Sequence, residues 1–294
     1  MRQQSAELWE QDNGCVQHIT RCARICYGRE GIGGFDDARL FGELWQRGHK
    51  SMYRHGTRYY RVPLSEVDRE DRVWRRLVGV ARTTPYCDIA IRSNEECAYV
   101  ACNLQWLYEH GKYEVCLRRF EVERSVFSEH GDWAVKLMVR YTFVFDTHIS
   151  TSRELNRKSP NSISERSTRY VPPGSGTDAV CEPHWYAGLK GWRKTLARLM
   201  FAAEMKFYAV AQKYLGLPLQ DAREYLPLAT ATRVAYTYSL REWLHIIALR
   251  YHGSTGKPHP HAKAAMKPVV EFFEAMGADT YHYCQGLRAE RMSE

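Results

Sequence analysis

Apolar positions in the N-terminal part of the chain recur at helical spacing. In the run from Cys15 to Tyr27, Ile19, Cys22 and the pair Ile25/Cys26 fall on one stripe, which predicts an amphipathic helix over residues 15 to 27. Further helices are predicted from about Asp37 to Arg47 and through Ala98 to Leu107. The period then changes. Val135, Leu137, Val139, Tyr141, Phe143 and Phe145 occupy every second position and predict a half-buried strand. Helical spacing returns from about Trp185 to Tyr214, where Gly216 and Pro218 end the element. A last helix covers Ser239 to Arg250. At about 100° per residue it sets Arg241 and His245 on one face and turns Arg250 roughly 180° away, so it serves two surfaces.

Between the alternating strand and the long helix, and directly after the strand, lies Arg153-Glu-Leu-Asn-Arg-Lys-Ser-Pro-Asn-Ser-Ile-Ser-Glu-Arg-Ser-Thr-Arg-Tyr170, which is almost free of apolar residues. A solvated basic connection would have this composition. A ligand site would have it too. Arg157, Arg169 and the hydroxyls of Ser162 and Ser167 grouped around Glu165 are what binding a phosphorylated molecule requires. The segment Pro172 to Gly176 reads as a turn-forming loop, and the glycine-rich run from Gly28 to Gly34 as a connection without the spacing of a dinucleotide fold.

The length of 294 residues allows one large domain or two small ones, and a 44% hydrophobic content suffices for a buried core. A formal charge of +8, from 42 basic and 34 acidic residues, favours anionic ligands such as nucleic acid, nucleotides or polyglutamylated folates. Nine cysteines without paired metal-type spacing fit a reducing compartment, and a polar N-terminus with no apolar run long enough for a bilayer points to a cytoplasmic protein. No metal site is expected. Cys22 and Cys26 read as core, His49 and His55 as structural or surface residues, and His259-Pro-His261 with His252 as solvated imidazoles although they could ligate an ion.

The polar stretch resembles the signature of the flavin-dependent thymidylate synthases, the ThyX family, R-H-R-x-x-S-x-N-E-x-S-x-R-Y. Arg157, Ser162, Glu165, Ser167, Arg169 and Tyr170 match; Lys158, Ser159 and Ser164 depart from His, Arg and Asn. Other segments resemble the family in the same order. They are Ala23-Arg-Ile-Cys-Tyr27, Gly48-His49-Lys-Ser51-Met-Tyr-Arg54-His55 with Arg54 in place of Glu, Asp221-Ala-Arg223-Glu-Tyr-Leu-Pro227, and Ser239-Leu-Arg241-Glu-Trp-Leu-His245 through Arg250 with Ser239 in place of Asn. Lys263 and Ala265 stand where many members have Gln and Glu. From about Gly56 to Trp133 the resemblance lapses, so the chain is expected to be a single catalytic domain, 1–294, with an insertion at 56–133.

The resemblance implies an α+β fold, with a twisted, mostly antiparallel sheet and flanking helices, in a homotetramer whose active sites join several subunits. It implies FAD, NADPH and 5,10-methylenetetrahydrofolate, with one-carbon transfer to uracil C5 and no enzyme nucleophile. It gives Glu165, Ser167, Arg169 and Arg223 to the nucleotide and Arg250 to the pyrimidine carbonyl as the catalytic donor. The flavin region receives His49, Ser51, Arg157, Lys158, Ser159, Ser239, Arg241 and His245. Glu154 stands where the family has a Gln near the nucleotide, and a carboxylate accepts from a sugar hydroxyl. That departure suggests UMP as well as dUMP, as in the uridylate C5-methylases of polyoxin-type antibiotic pathways. The alternatives are a dUMP-specific thymidylate synthase and a non-catalytic nucleotide- or RNA-binding homologue; nucleic acid fits less well than a mononucleotide.

Overall fold

The protein is described here by a computed structural model covering residues 1–30, 36–67, 72–91, 96–158, 160–174 and 176–293. Its strands are β1 (Ser5–Trp9), β2 (Thr57–Pro63), β3 (Cys87–Ile91), β4 (Cys97–Asn103), β5 (Glu121–Val122), β6 (Arg140–His148), β7 (Ile163–Glu165) and β8 (Ala231–Ser239). They form two four-stranded sheets, ordered β1-β6-β8-β7 and β3-β4-β2-β5, with antiparallel ladders throughout. Together with the flanking helices this is an α+β fold.

The central ladder of the first sheet pairs β6 with β8 from Arg140↔Ser239 to His148↔Ala231. One face carries Tyr141, Phe143 and Phe145 onto helices Leu240–Ile247 and Pro260–Ala275. Phe143 meets Trp243 edge-on at 5.2 Å, and Tyr141 meets Phe273 at the same distance. The opposite face packs Val144 and Ala235 under Cys22 and Ile25 of helix Gly14–Ile25. Both strands are buried on both faces, and polar side chains among them are paired, Thr142 with Thr237 and Asp146 with Arg233.

The second sheet lies entirely within residues 57–122. Tyr59, Tyr99 and Ala101 join the core of the first sheet, whereas Tyr60, Val62, Ala98 and Val100 form a separate core with Leu44, Trp74, Leu77 and Trp106. Helix Asp37–Gln46 agrees with the apolar spacing.

Several elements differ from the expectation. The helix expected through Ala98 to Leu107 is β4 followed by a short helix, Leu104–Glu109, capped by the Asn103 side chain accepting from the Trp106 amide at 2.9 Å. A short apolar run buried on both faces has no period by which to tell strand from helix. The alternation beginning at Val135 includes a helical turn, Trp133–Lys136, and the strand starts only at Arg140. The long helix spans Trp192–Tyr214, because a 3-10 turn and Gly191, at φ +53°, precede it. The helix after β8 is α-helical over Leu240–Ile247 and continues as a π turn, Ala248–His252. Gly253, at φ +73°, closes that turn, and a Cβ there would lie 2.5 Å from the Gly256 carbonyl oxygen. All nine cysteines are free. Among the described residues no helix is long and apolar enough to cross a membrane.

Candidate functional site

The polar stretch is less of a loop than its composition suggests. Helix Ile149–Leu155 intervenes after β6 and carries Arg153 and Glu154, and Ile163–Glu165 adds β7 to the edge of the first sheet against β8. Glu154 is the junction of the site. One carboxylate oxygen lies 3.1 Å from Arg157 Nη2, and the other accepts from Arg250 Nη1 at 3.3 Å. The Arg157 side chain is 65% exposed and that of Arg250 22%. A guanidinium has five N–H donors, so each retains donors for a ligand.

Glu165 does something other than expected. Arg157, Arg169, Ser162 and Ser167 do not supply its hydrogen bonds; it accepts from Ser152 Oγ at 2.7 Å, Thr232 Oγ1 at 3.1 Å and Asn156 Nδ2 at 3.4 Å. The reason is the pleat. Glu165 pairs with Val234 across the ladder, and Thr232, two residues along β8, shares its face. Asn156 in turn accepts from the buried Tyr236 hydroxyl at 2.6 Å. Glu165 therefore fixes the signature to the helix that holds Glu154. Ser162 is buried and its carbonyl accepts from the Thr237 amide. Ser164 is buried too, donating to the Cys22 carbonyl at 2.6 Å. The Ser167 hydroxyl accepts from the Arg169 amide at 3.2 Å.

A second group forms where β6 and β8 end. Ser239 caps helix Leu240–Ile247 in a capping box with Glu242, which occupies its hydroxyl. Glu242 also pairs with Lys158 at 3.5 Å and with the buried Arg140 at 3.8 Å, and Arg140 bonds Asp88 at 2.8 Å. Burial raises the Asp88 carboxyl above the usual range while Arg140 pulls it back. Arg241 is exposed on this helix and His245 half-buried. Ser159 lies outside the described residues. Glu242 lies outside the family's motif residues, yet the capping-box sequence Ser-Leu-Arg-Glu marks it.

His49 precedes the 3-10 turn Lys50–His55 without capping it through its side chain and is exposed, as is Ser51. Arg54 ties this turn to the signature, donating to the Asn161 carbonyl at 2.7 Å and to Gln105 at 2.6 Å while lying over the Tyr86 ring. His55 is structural. It heads a buried chain in which its Nδ1 meets Thr237 at 2.7 Å, Thr237 meets Thr142 at 2.7 Å, and Thr142 meets His18 at 2.8 Å. Burial lowers His55 to about 3 and His18 to about 4, so both are neutral.

Arg169 and Arg223 are exposed. Arg169 reaches Gln220, in the segment that carries Arg223, at 3.5 Å, and lies over Tyr170, which stacks on Tyr27. His252 bonds Thr280 at 2.9 Å and does not join His259 and His261; His184 does. A cleft of about 1180 Å³ between residues 10–16 and 121–126 contains none of the signature residues.

Residues 100–270 match the family described as thymidylate synthase complementing protein. A flavin-dependent thymidylate synthase of Mycobacterium avium (strain 104) is 34% identical over 112 residues, 34% of this chain and 45% of that protein, so the chain spans about half the length of such relatives. Two solved structures resemble it more distantly. The UMP/dUMP methylase PolB from Streptomyces cacaoi bound with 5-Br UMP has a TM-score of 0.43 at 19% identity, covering 56% of this chain and 80% of that one. Thymidylate synthase X from Helicobacter pylori with FAD and dUMP has a TM-score of 0.39 at 15% identity, covering 61% and 91%. The family match takes in the signature, both arginine-bearing segments after it and more than half of the sequence, and on that ground the chain belongs to the thymidylate synthase complementing protein family.

Proposed function

We propose that this protein is a flavin-dependent C5-methylase of a uridine monophosphate, taking UMP, dUMP or both, with methylenetetrahydrofolate as one-carbon donor and reduced FAD, restored by NADPH, as hydride source. The observation that carries the reading is the Glu154 carboxylate, which gathers Arg157 of the signature and Arg250 of the C-terminal segment onto one accessible surface. The donor set suits the cofactor. FAD carries a diphosphate, and Arg157, Arg241 and His49 are exposed donors of the kind that meets one, while Lys158 pairs with Glu242. When bound, the flavin supplies the hydride and mediates the one-carbon transfer.

The chain's own residues then bind and polarise. Ser167, Arg169 and Arg223 hold the nucleotide phosphate, and Arg250, aimed by Glu154, donates to the pyrimidine carbonyl where charge develops. Glu165 is a positioning residue that locks the signature to helix Ile149–Leu155. Each oxygen of Glu154 keeps a lone pair after pairing with its arginine, enough to accept a ribose 2′-hydroxyl.

A homotetramer with shared sites belongs to the same reading. Helix Trp192–Tyr214 turns Trp192, Leu196, Leu199, Phe207, Val210 and Tyr214 to solvent, each at least 44% exposed, and a row of that size marks an interface. On this reading residues 56–133 are an insertion, of which residues 100–133 overlap the family match. The enzyme works in the cytoplasm, where free cysteines stay reduced.

Titration with FAD, followed by absorbance and flavin fluorescence, tests the reading, with mass analysis of UMP and dUMP after incubation with methylenetetrahydrofolate and NADPH. Saturable FAD binding and a methylated nucleotide are expected. A folded protein that binds no FAD overturns it.

A further inference from the structure

Away from that surface, four histidines meet where β6 ends. His148 closes β6; His184 follows Pro183 in the segment before the long helix; His259 caps helix Pro260–Ala275, and His261 lies in its first turn. His184 Nδ1 is 3.1 Å from His261 Nε2, and one nitrogen from each of His184, His259 and His261 lies within 4.8 Å of the others. His148 stacks on His261 with centroids 4.2 Å apart. It is 1% exposed, and its Nε2 has no hydrogen-bond partner.

The His184–His261 pair has the spacing of metal ligands, and His259 lies within reach of the same point. At zinc–nitrogen bonds of 2.0 to 2.1 Å, two neighbouring nitrogens on a tetrahedral ion are about 3.3 Å apart. His261 Nε2 accepts from the His184 backbone amide at 2.6 Å, so it is the unprotonated nitrogen of its ring and carries the lone pair that a ligand must offer. To ligate, His261 Nε2 gives up that amide bond for an ion that enters between it and His184 Nδ1, 3.1 Å away. Pro183 and Pro260 stiffen the backbone beside the ligands, while exposed His184 and His259 leave an approach from solvent.

We propose that His184, His259 and His261 form a three-histidine site for a divalent transition metal of the zinc type, with a fourth position open to solvent. The ion pins the segment before the long helix to the helix that begins at Pro260. His148 backs the site as a stacking ring and holds His261 in place.

The test uses the full chain without an affinity tag, stripped with chelator and titrated with Co2+. A visible ligand-field band saturating at one Co2+ per chain, displaced by Zn2+, is expected, with a rise in Tm on adding Zn2+. His184→Gln and His259→Gln, both at exposed positions, should keep the far-UV spectrum and weaken Co2+ binding about tenfold or more. His252→Gln should bind as the parent does. Absence of saturable Co2+ binding by the parent, parent-like binding by His184→Gln, or loss of the band in His252→Gln overturns the proposal.

Discussion

Arg250 Nη1 and Glu154 Oε2 lie 3.3 Å apart, joining helix Ile149–Leu155 to the π turn after β8 across 96 residues of sequence. The pair orients the guanidinium and leaves part of it accessible.

Arg250→Ala should lower methyl transfer by about 100- to 1000-fold, the usual loss for one transition-state donor. The side chain makes a partly exposed ion pair and packs no core, so stability should fall by at most about 1 kcal/mol. Turnover assays beside urea unfolding check both. Near-normal turnover removes Arg250 from the mechanism.

Glu154→Gln keeps an acceptor but gives up the charge that Arg157 and Arg250 share. Turnover should drop about tenfold with either nucleotide, a charge-assisted bond being worth roughly 1.5 to 3 kcal/mol. If the carboxylate also meets a 2′-hydroxyl, kcat/KM for UMP should fall further than for dUMP. An unchanged UMP-to-dUMP ratio would remove the sugar contact and leave Glu154 as a holder of arginines.

Ser239→Ala deletes the cap of helix Leu240–Ile247 and frees Glu242. A stability loss of about 1 kcal/mol is expected by urea titration. FAD affinity should weaken modestly, because Lys158 and Arg140 lose a fixed partner.

Acid should destabilise the protein from just below neutral pH. His18 and His55 have native values lowered to about 4 and about 3, against an ordinary value near 6.5, so between those limits only the unfolded chain takes up their protons. Stability is complete above pH 6.5 and falls as pH drops towards 4, by about 3 kcal/mol for each histidine. Denaturant midpoints at pH 7 and pH 5 measure this. His55→Gln should be less stable at pH 7 yet show a flatter dependence, and an equally steep one would exclude His55 as a source.

Phe207→Asp, on the exposed row of the long helix, should shift sedimentation from tetramer to smaller species while circular dichroism stays unchanged. A tetramer that survives it is built on another face.

The parts of the fold legible in the sequence are those where one face is wet. Helix Gly14–Ile25 shows its stripe because exposed Gln17 and Arg21 lie on the same helix as buried Ile19 and Ile25. β4 gave no such contrast, since all seven of its residues are buried. Helix Ile149–Leu155 was hidden because Ser, Thr, Arg and Glu cover it and only Leu155 among its apolar residues is fully buried. The signature named Arg157 and Glu165 without their partners. Pairing by spacing pointed Glu165 at nearby arginines, whereas its ligands come from Ser152, Asn156 and Thr232 through sheet register, a long-range property. His184 had no signal at all, being far in sequence from His259 and His261.

The π turn at Ala248–His252 has a consequence for reading related chains. Its i→i+5 hydrogen bonding spends one residue more per ring than an α turn, so every side chain beyond it is out of phase by about 100° with an uninterrupted helix. A homologue lacking that extra residue would present its neighbours to Glu154 one position earlier, and its functional arginine would be misassigned by any alignment that runs through the turn at constant spacing. Deleting Leu249 from this chain imposes the same phase change, unthreading Arg250 from Glu154 and His252 from Thr280 together without altering a single interacting side chain.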